Sequence, residues 1–235
     1  MSWTERTELL LGTEKIQKLK NSHVLVVGLG GVGAYAAEML CRAGIGKLTI
    51  IDGDAVDETN INRQMPAMHS TIGLNKTDVL TTRFKDINPD VSIMAINEYI
   101  RDERMIEILE NEYDYVVDAI DTLAPKVYLI YHSVKLGHRI VSSMGAGGKM
   151  NPELVKSSDI SKSYNCKLAR ALRKRLGKLG VRKGVKVVYS PEEVPGEAVI
   201  IDEGTNKKST VGTISYLPAV FGCHIASVVI NDLIG

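Results

Sequence analysis

The stretch from His23 to Arg63, HVLVVGLGGVGAYAAEMLCRAGIGKLTIIDGDAVDETNINR, limits the possible folds more than any other part of the chain. An apolar run, Val24 to Val27, ends in glycines at Gly28, Gly30, Gly31 and Gly33. A helical pattern follows. A second apolar run, Lys47 to Ile51, then ends on Asp52. Strand, glycine turn, helix, strand and acid, in that order, are the layout of a nucleotide-binding βαβ unit. Gly28 suits the tight turn, Gly30 lets backbone approach a phosphate, and Gly33 lets the helix pack on the strand. The helix N-terminus offers free N–H groups to an anion. Asp52 falls where a carboxylate can accept hydrogen bonds from a ribose. NAD enzymes share this unit, so the residues beyond Asp52 decide the chemistry.

The pattern after it repeats. Asn75 to Asn88 has helical spacing, with Val79, Leu80, Phe84 and Ile87 as its core stripe and Asn75 as a cap that puts Lys76 in the first turn. Val91 to Ile96 alternates as a third strand, and Asp102 to Asn111 forms a helix with Met105, Ile106 and Leu109 inward. Tyr113 to Ile120 is a buried strand leading into Asp121. Ala124 to Leu136 is a helix, and Arg139 to Ser143 a strand that ends in the glycine turn GAGG at 145–148. Ahead of the unit, Thr4 to Lys20 reads as two short helices broken at Gly12, with Thr13 as a cap for the second. Five alternations of strand and helix predict an α/β, doubly wound, Rossmann-like sheet, mostly parallel. Its ligand edge lies at the C-terminal ends of the strands.

Beyond Lys149 the texture changes. Asn151 to Ser163 reads as a polar loop. Asn165 to Leu179 is an amphipathic helix, with Leu168, Leu172, Leu176 and Leu179 on one side. Lys167, Arg170, Arg173, Lys174, Arg175 and Lys178 supply its basic face. Val185 to Ser190 and Ala198 to Asp202 are short strands joined through a turn, Glu203 to Thr210 is a polar loop, and Leu217 to Ile234 is an apolar closing helix. We therefore expect one ATP-binding unit over 1–235. Its nucleotide-binding core spans 22–149, and 150–235 forms a C-terminal extension of basic helix, short strands and closing helix.

Charge separates the two parts. The formal net charge is only +1, yet nine Lys or Arg and no acid lie between Lys162 and Lys183. The other 20 basic residues face all 28 acids, so the rest of the chain is net negative by 8. Lysine-rich helix faces normally carry interspersed acids. A 22-residue block without any favours a polyanionic partner, for which RNA phosphate is the natural match. No aromatic platform for reading bases is evident, so recognition would rest on backbone charge and shape. Three cysteines with no close pair argue against a disulfide framework and a Cys-x-x-Cys zinc site. A reducing cytoplasm is the expected compartment. MSWTERTELLLG is not a secretory leader, and no run of about 18 uninterrupted apolar residues predicts a membrane span.

The residues after Asp52 point to attack at a phosphate. Asp54, Asn60, Asn62, Arg63, Gln64 and Lys76 come after it in close order. A dehydrogenase has no need for Arg63 and Lys76 there. An enzyme that attacks the α-phosphate of ATP does, because charge builds on phosphate oxygens in the transition state. Asp121, at a strand end, suits Mg²⁺ as an oxygen ligand, or else caps the helix after it. No G-x-x-x-x-G-K-[ST] loop is present, which excludes a P-loop NTPase. Taken singly, Arg63 and Lys76 would be surface charges and Arg6 a solvated arginine. The offsets together favour chemistry. Gly145, Gly147 and Gly148 read equally as a mere turn or as part of the site. His69, His132, His138 and His224 have no metal or triad spacing.

These residues resemble a known group. VGLGGVGAYAAEMLCRAGIGKLTIIDGD, TNINRQ, GLNK and VVDAID are similar to the adenylate-forming superfamily of ubiquitin-activating enzymes and ThiF-type activators of sulfur carriers. RTELLLG, the GAGG turn, LARALRKRLGKLGV and VVYSPEE resemble its branch of tRNA threonylcarbamoyladenosine dehydratases, and the likeness covers nearly the whole chain. The resemblance implies that the loop of Gly28, Gly30, Gly31 and Gly33 cradles ATP and that Asp52 binds its ribose. It implies phosphate contacts for Asn60, Arg63 and Lys76, and a metal and triphosphate role for Asp121. It implies that Arg6 reaches into a partner's ATP site, which makes the active unit a homodimer. Thr122 departs from the Asn or Ser often found there and inherits no role.

The expected activity is ATP-dependent dehydration of threonylcarbamoyladenosine in tRNA through an acyl-adenylate. An activator of a ubiquitin-like sulfur carrier is the second reading, though the zinc-binding Cys-x-x-Cys pair common there is missing. An NAD-binding redox or sensor module is the third. No residue identifies a partner that delivers sulfur or electrons. Basic neighbours could activate Cys166, but the dehydratase needs no carrier thioester, and Cys41 and Cys223 read as core.

Overall fold

The computed structural model describes residues 2–201 and 209–235. Strand β1 (His23–Val27) lies between two parallel neighbours, β2 (Lys47–Ile51) and β4 (Tyr115–Asp118). Val24 and Val26 point into one apolar cluster, Leu25 and Val27 into the other. That two-residue alternation is why the strand is apolar throughout: both faces are covered. Strand β3 (Ser92–Ile96) adds outside β2, and β5 (Ile140–Ser143) outside β4. Next come β7 (Lys186–Tyr189), parallel to β5, and β6 (Lys156–Asp159), antiparallel at the far edge. The order is β3-β2-β1-β4-β5-β7-β6. The doubly wound, mostly parallel sheet is therefore as expected.

The chain works outward from β1 to β3 and then crosses back to β4, so the winding reverses between β1 and β4. Val27 is level with Ile51 and with Asp118. The three segments that leave these strands, at Gly28, Asp52 and Ala119, thus emerge side by side at the switch point, where doubly wound sheets form their ligand crevice.

Helices cover both faces. Residues of α2 (Thr13–Asn21), α3 (Gly33–Arg42), α4 (Lys76–Ile87) and α8 (Tyr216–Ile234) build one cluster; α5 (Asp102–Leu109), α6 (Leu123–Lys135) and α7 (Lys167–Lys178) build the other. Leu40, Phe221 and Ile225 are fully buried, and each such side chain contributes about 1.5–3 kcal/mol over exposure. By length and composition α8 could cross a membrane. Here its Leu217, Phe221, Ile225 and Val229 share a core with α3.

Several local expectations are corrected. Asn151 to Ser163 is not wholly a loop: it contains β6, whose polar sequence KSSD conceals an edge strand with little apolar face to bury. Two strands of the 150–235 segment thus complete the same sheet as the 22–149 core. Thr13 does not cap α2. It is the helix's first residue, its hydroxyl donates to Glu8 at 2.9 Å, and Gly12 precedes it at φ +83°. Asn75 precedes α4 without capping it; its amide donates to Asp78 instead. In α5, Ile108 rather than Ile106 is fully buried, and in α4 Val79 and Ile87 are only half-buried. Leu179 lies exposed just past α7. Cys223 is exposed on α8, not core, whereas Cys41 is buried and its thiol is pushed up to about 11 by that burial. Of the polar loop expected over 203–210, residues 203–208 lie outside the described residues; Ser209 begins β9 (Ser209–Val211), which pairs antiparallel with β8 (Val199–Ile201).

Candidate active site

The glycine loop is shaped by close approach. Gly28 has φ +90°, and a Cβ there would sit 2.8 Å from the Ala119 carbonyl oxygen. A Cβ on Gly33 would fall 1.8 Å from the Gly28 carbonyl oxygen. Neither position tolerates a side chain, so the turn between β1 and α3 stays bare backbone. At Gly30 the nearest atom to a Cβ would be Gln64 Nε2, at 3.7 Å. Space therefore opens in front of Gly30, where a phosphate can approach.

Asp52 closes the loop from β2. One carboxylate oxygen accepts the Leu29 N–H at 2.6 Å, the other the Asp54 N–H at 2.8 Å. Burial pushes this carboxyl up, against the pull of Lys76 and the two N–H groups. The acid thus braces the glycine turn, a task that spacing alone did not reveal.

Lys76 begins α4 and is 3% exposed. Its Nζ lies 2.8 Å from Asp54 Oδ2. The Tyr99 hydroxyl donates to the other Asp54 oxygen, which holds that phenol up at about 12. Asp54 thereby fixes a buried ammonium next to Asp52. Tyr99 carries no signal in the sequence beyond its place after β3.

Arg63 is half-buried beside the loop, its backbone carbonyl 3.4 Å from where a Gly31 Cβ would stand. One guanidinium nitrogen donates to the Thr59 carbonyl at 2.8 Å and to Asn62 Oδ1 at 2.9 Å. Asn60 closes a capping box: its Oδ1 accepts the Asp57 N–H at 3.3 Å, so it also shapes the turn that carries Arg63. Gln64 Oε1 is buried with no hydrogen-bond partner. An orphaned acceptor of this kind costs stability unless a ligand or water meets it; the other end of the same amide, Nε2, is the atom nearest the space at Gly30. Only its adjacency to Arg63 could have marked Gln64 in the sequence.

Asp121 is exposed after β4 and accepts from the Thr122 hydroxyl at 3.2 Å. The buried acid of this strand end is Asp118. It is fully enclosed with Lys126 of α6, 2.9 Å away, and accepts from Ser142 at 2.6 Å. Burial pushes the Asp118 carboxyl up despite these donors. Asp118 also takes the Ile120 N–H, and Lys126 donates to the Ile120 carbonyl at 2.8 Å. The pair therefore locks the Ala119–Asp121 loop against Gly28. A run reading VVDAID offers two acids, and only the fold separates the buried brace from the exposed one.

The structure brings Gly30, Gly31, Asp52, Arg63 and Lys76 to one crevice. Arg6 is not there. It is exposed on α1 (Glu5–Leu11), and its neighbour Thr4 packs at Gly44, past the far end of α3. The ten residues of α3 put that end about 15 Å from the glycine loop.

Two further features border the crevice. The GAGG turn is a seat for the residues around Gly212: the Gly148 N–H donates to the Gly212 carbonyl at 2.7 Å, and a Cβ on Gly147 would meet Val211 at 3.1 Å. Lys149 is buried and holds the carbonyls of Ser190 and Glu192 at 2.7 and 2.8 Å; burial pulls its ammonium below the usual lysine range. On α7, Lys167, Arg170, Lys174, Arg175 and Lys178 are exposed. Arg173 differs from the expected basic face. Its guanidinium turns inward and donates to the carbonyls of Ser163 (2.9 Å) and Ile160 (3.4 Å) and to the Ser163 hydroxyl. Cys166 is buried as the N-cap of α7, its sulfur accepting the Ala169 N–H at 3.5 Å.

Comparison with known proteins agrees with this geometry. The sequence pattern of the ThiF family matches residues 5–235. The tRNA threonylcarbamoyladenosine dehydratase of Bacillus subtilis is 38% identical over 237 residues, covering 97% of this chain and 93% of that protein. The crystal structure of the Escherichia coli tRNA N6-threonylcarbamoyladenosine dehydratase superposes with a TM-score of 0.89 at 33% identity, over 98% of this chain and 93% of that one. The same enzyme in complex with ATP also gives 0.89, over 98% and 94%. From the glycine loop to the closing helix, the chain belongs to the ThiF family.

Proposed function

We propose that this protein is an ATP-dependent dehydratase acting on threonylcarbamoyladenosine in tRNA. One observation carries the reading: Arg63 and the buried Lys76 flank a bare glycine loop and an acid, in a chain alike over almost its full length to dehydratases of that nucleoside. ATP fits the crevice. Gly30 leaves room for phosphate, the α3 N-terminus offers its free N–H groups there, and the Gln64 amide nitrogen is the nearest side-chain donor. Asp52 meets the ribose, and Asn60, Arg63 and Lys76 contact the phosphates.

The threonine carboxylate of the substrate attacks the α-phosphate, and pyrophosphate leaves. Arg63 and Lys76 stabilise the charge that builds on the phosphate oxygens. Asp54, which pairs with Lys76 at 2.8 Å, gives up part of that pairing to the triphosphate. The carbamoyl group then attacks the activated carbonyl and expels AMP. A ring closes, and the nucleoside has lost one water. Among the described residues no group of three or more His, Cys, Asp and Glu could hold a metal. Mg²⁺, which binds through one or two carboxylates plus substrate phosphates, fits Asp121 alone, where it would neutralise triphosphate charge. The exposed lysines and arginines of α7 bind the tRNA backbone, and the enzyme works as a cytoplasmic homodimer with Arg6 serving the partner's site.

The test is direct. Incubated with ATP, Mg²⁺ and modified tRNA, the protein should reduce the nucleoside mass by one water, with release of AMP and pyrophosphate. Arg63→Ala should lose this activity and keep its fold. No mass change, together with adenylation of a small carrier protein's C-terminus, would replace the reading with the sulfur-carrier one.

A further inference from the structure

Asn62 lies between two anchors that the activity does not by itself explain. Its Oδ1 accepts from Arg63 at 2.9 Å, and its Nδ2 donates at 2.9 Å to the backbone carbonyl of Thr213, 151 residues away. Thr213 comes just after β9. Gly212, next to it, is fixed twice, its carbonyl by the Gly148 N–H and its N–H by the Ala198 carbonyl. One amide therefore joins the Arg63 guanidinium to the turn between β9 and α8. Asn62 is itself exposed, so this tie is not a consequence of core packing.

Arginine has a long, flexible stem, and its rotamer freedom must be removed before it can stabilise a transition state. The Thr59 carbonyl and Asn62 Oδ1 do this at the same nitrogen. Thr59 belongs to the short turn that carries Arg63 and moves with it. Asn62 alone refers the guanidinium to a distant part of the fold. We propose that Asn62 is a positioning residue for the adenylation step: it registers Arg63 against the Gly212–Thr213 turn, so that the arginine is aimed only when that turn is seated on Gly148. This inference rests on the adenylation reading, in which Arg63 touches the phosphates.

The experiment compares wild type with Asn62→Ala, Asn62→Asp, Arg63→Lys and the double Asn62→Ala/Arg63→Lys variant, using full-length protein, ATP, Mg²⁺ and modified tRNA. Asn62→Ala should lower kcat about 10- to 100-fold, the scale of a misplaced catalytic group, with KM for ATP unchanged within about twofold. Asn62→Asp keeps an acceptor for Arg63 but cannot donate to Thr213. It should lose kcat likewise and quicken amide exchange at Gly212 and Thr213. In the Arg63→Lys background, which keeps a charge and measurable turnover but lacks the guanidinium that Asn62 holds, Asn62→Ala should cost little further.

Wild-type kcat in Asn62→Ala overturns the inference, as does an equal loss with and without Arg63. Wild-type kcat in Asn62→Asp removes the tie to Thr213. A changed melting temperature with unchanged kcat would leave Asn62 a structural residue only. If wild-type protein releases no pyrophosphate, the adenylation reading itself fails and the Asn62 role falls with it; an active wild type with indifferent Asn62 variants sinks the positioning role alone.

Discussion

Two acids three residues apart do different work at the end of β4. Asp121 is exposed and accepts from the neighbouring Thr122 hydroxyl. Asp118 is sealed against Lys126 with no exposure of either side chain. Taking such a pair out of water is costly, and removing one member leaves the other charge uncompensated. Lys126→Met should therefore destabilise the protein by about 3–5 kcal/mol, measured by urea unfolding at neutral pH. Replacing both partners, Asp118→Val with Lys126→Met, should recover part of that loss. Because the pair holds both backbone groups of Ile120, ATP affinity should fall in Lys126→Met even where the fold persists. A single variant within about 1 kcal/mol of wild type would contradict the brace. In the sequence, Asp118 reads as one more strand residue. Its enclosure depends on Lys126 and Ser142, which the fold brings in from two other elements.

At the scale of elements, α7 separates charge that binds from charge that builds. Arg173 is spent on the carbonyls of Ser163 and Ile160, where it fixes the segment ahead of the helix. Lys174, Arg175 and Lys178 face solvent. Alanine at those three should weaken tRNA binding and reduce the slope of log K against log salt by about two to three, one counterion contribution for each lost phosphate contact. Arg173→Ala should instead cost about 1.5–3 kcal/mol of stability, as for hydrogen bonds to a charged group, and leave the salt slope alone. An unchanged slope in the triple variant would remove the RNA role of α7. Amphipathic spacing made the helix legible, along with its buried Leu172 and Leu176, but spacing cannot tell that one arginine bends back. The inner parallel strands β1, β2 and β4 were legible for a similar reason, since residues buried on both faces read as apolar runs, while β3, at the edge, showed itself only by alternation. Strand β6 was not, because an antiparallel edge with the sequence KSSD carries almost no apolar signal. At the crevice, glycines and charged residues announced themselves by type. Asn62 and Gln64 stood in the run after Asp52 without a role of their own, and Tyr99 carried no signal, since their importance lies in which distant atoms they meet.

The whole molecule leaves one candidate outside its own crevice. Arg6 stands beyond the far end of α3 from the glycine loop, so it cannot serve the ATP site of the same chain without refolding α1. On that helix Leu9 and Leu10 are each 82% exposed, with Trp3 at 48% beside them. A two-fold dimer, the commonest oligomer, would cover such residues and present the same patch on both subunits. Arg6→Ala should thus lose activity while binding ATP normally, and Leu9→Asp/Leu10→Asp should shift the protein toward monomer in analytical ultracentrifugation. Mixing inactive Arg6→Ala with inactive Arg63→Ala subunits separates action across the interface from action within one chain. In the mixed dimer one site combines an intact Arg63 with the partner's intact Arg6, and the other site has both defects. Random exchange makes half the dimers mixed, so activity should return to about one quarter of wild type. Each variant alone should stay inactive. If exchange is complete and no activity returns, Arg6 does not act in trans, and its place on the outer face of α1 reverts to that of a solvated charge.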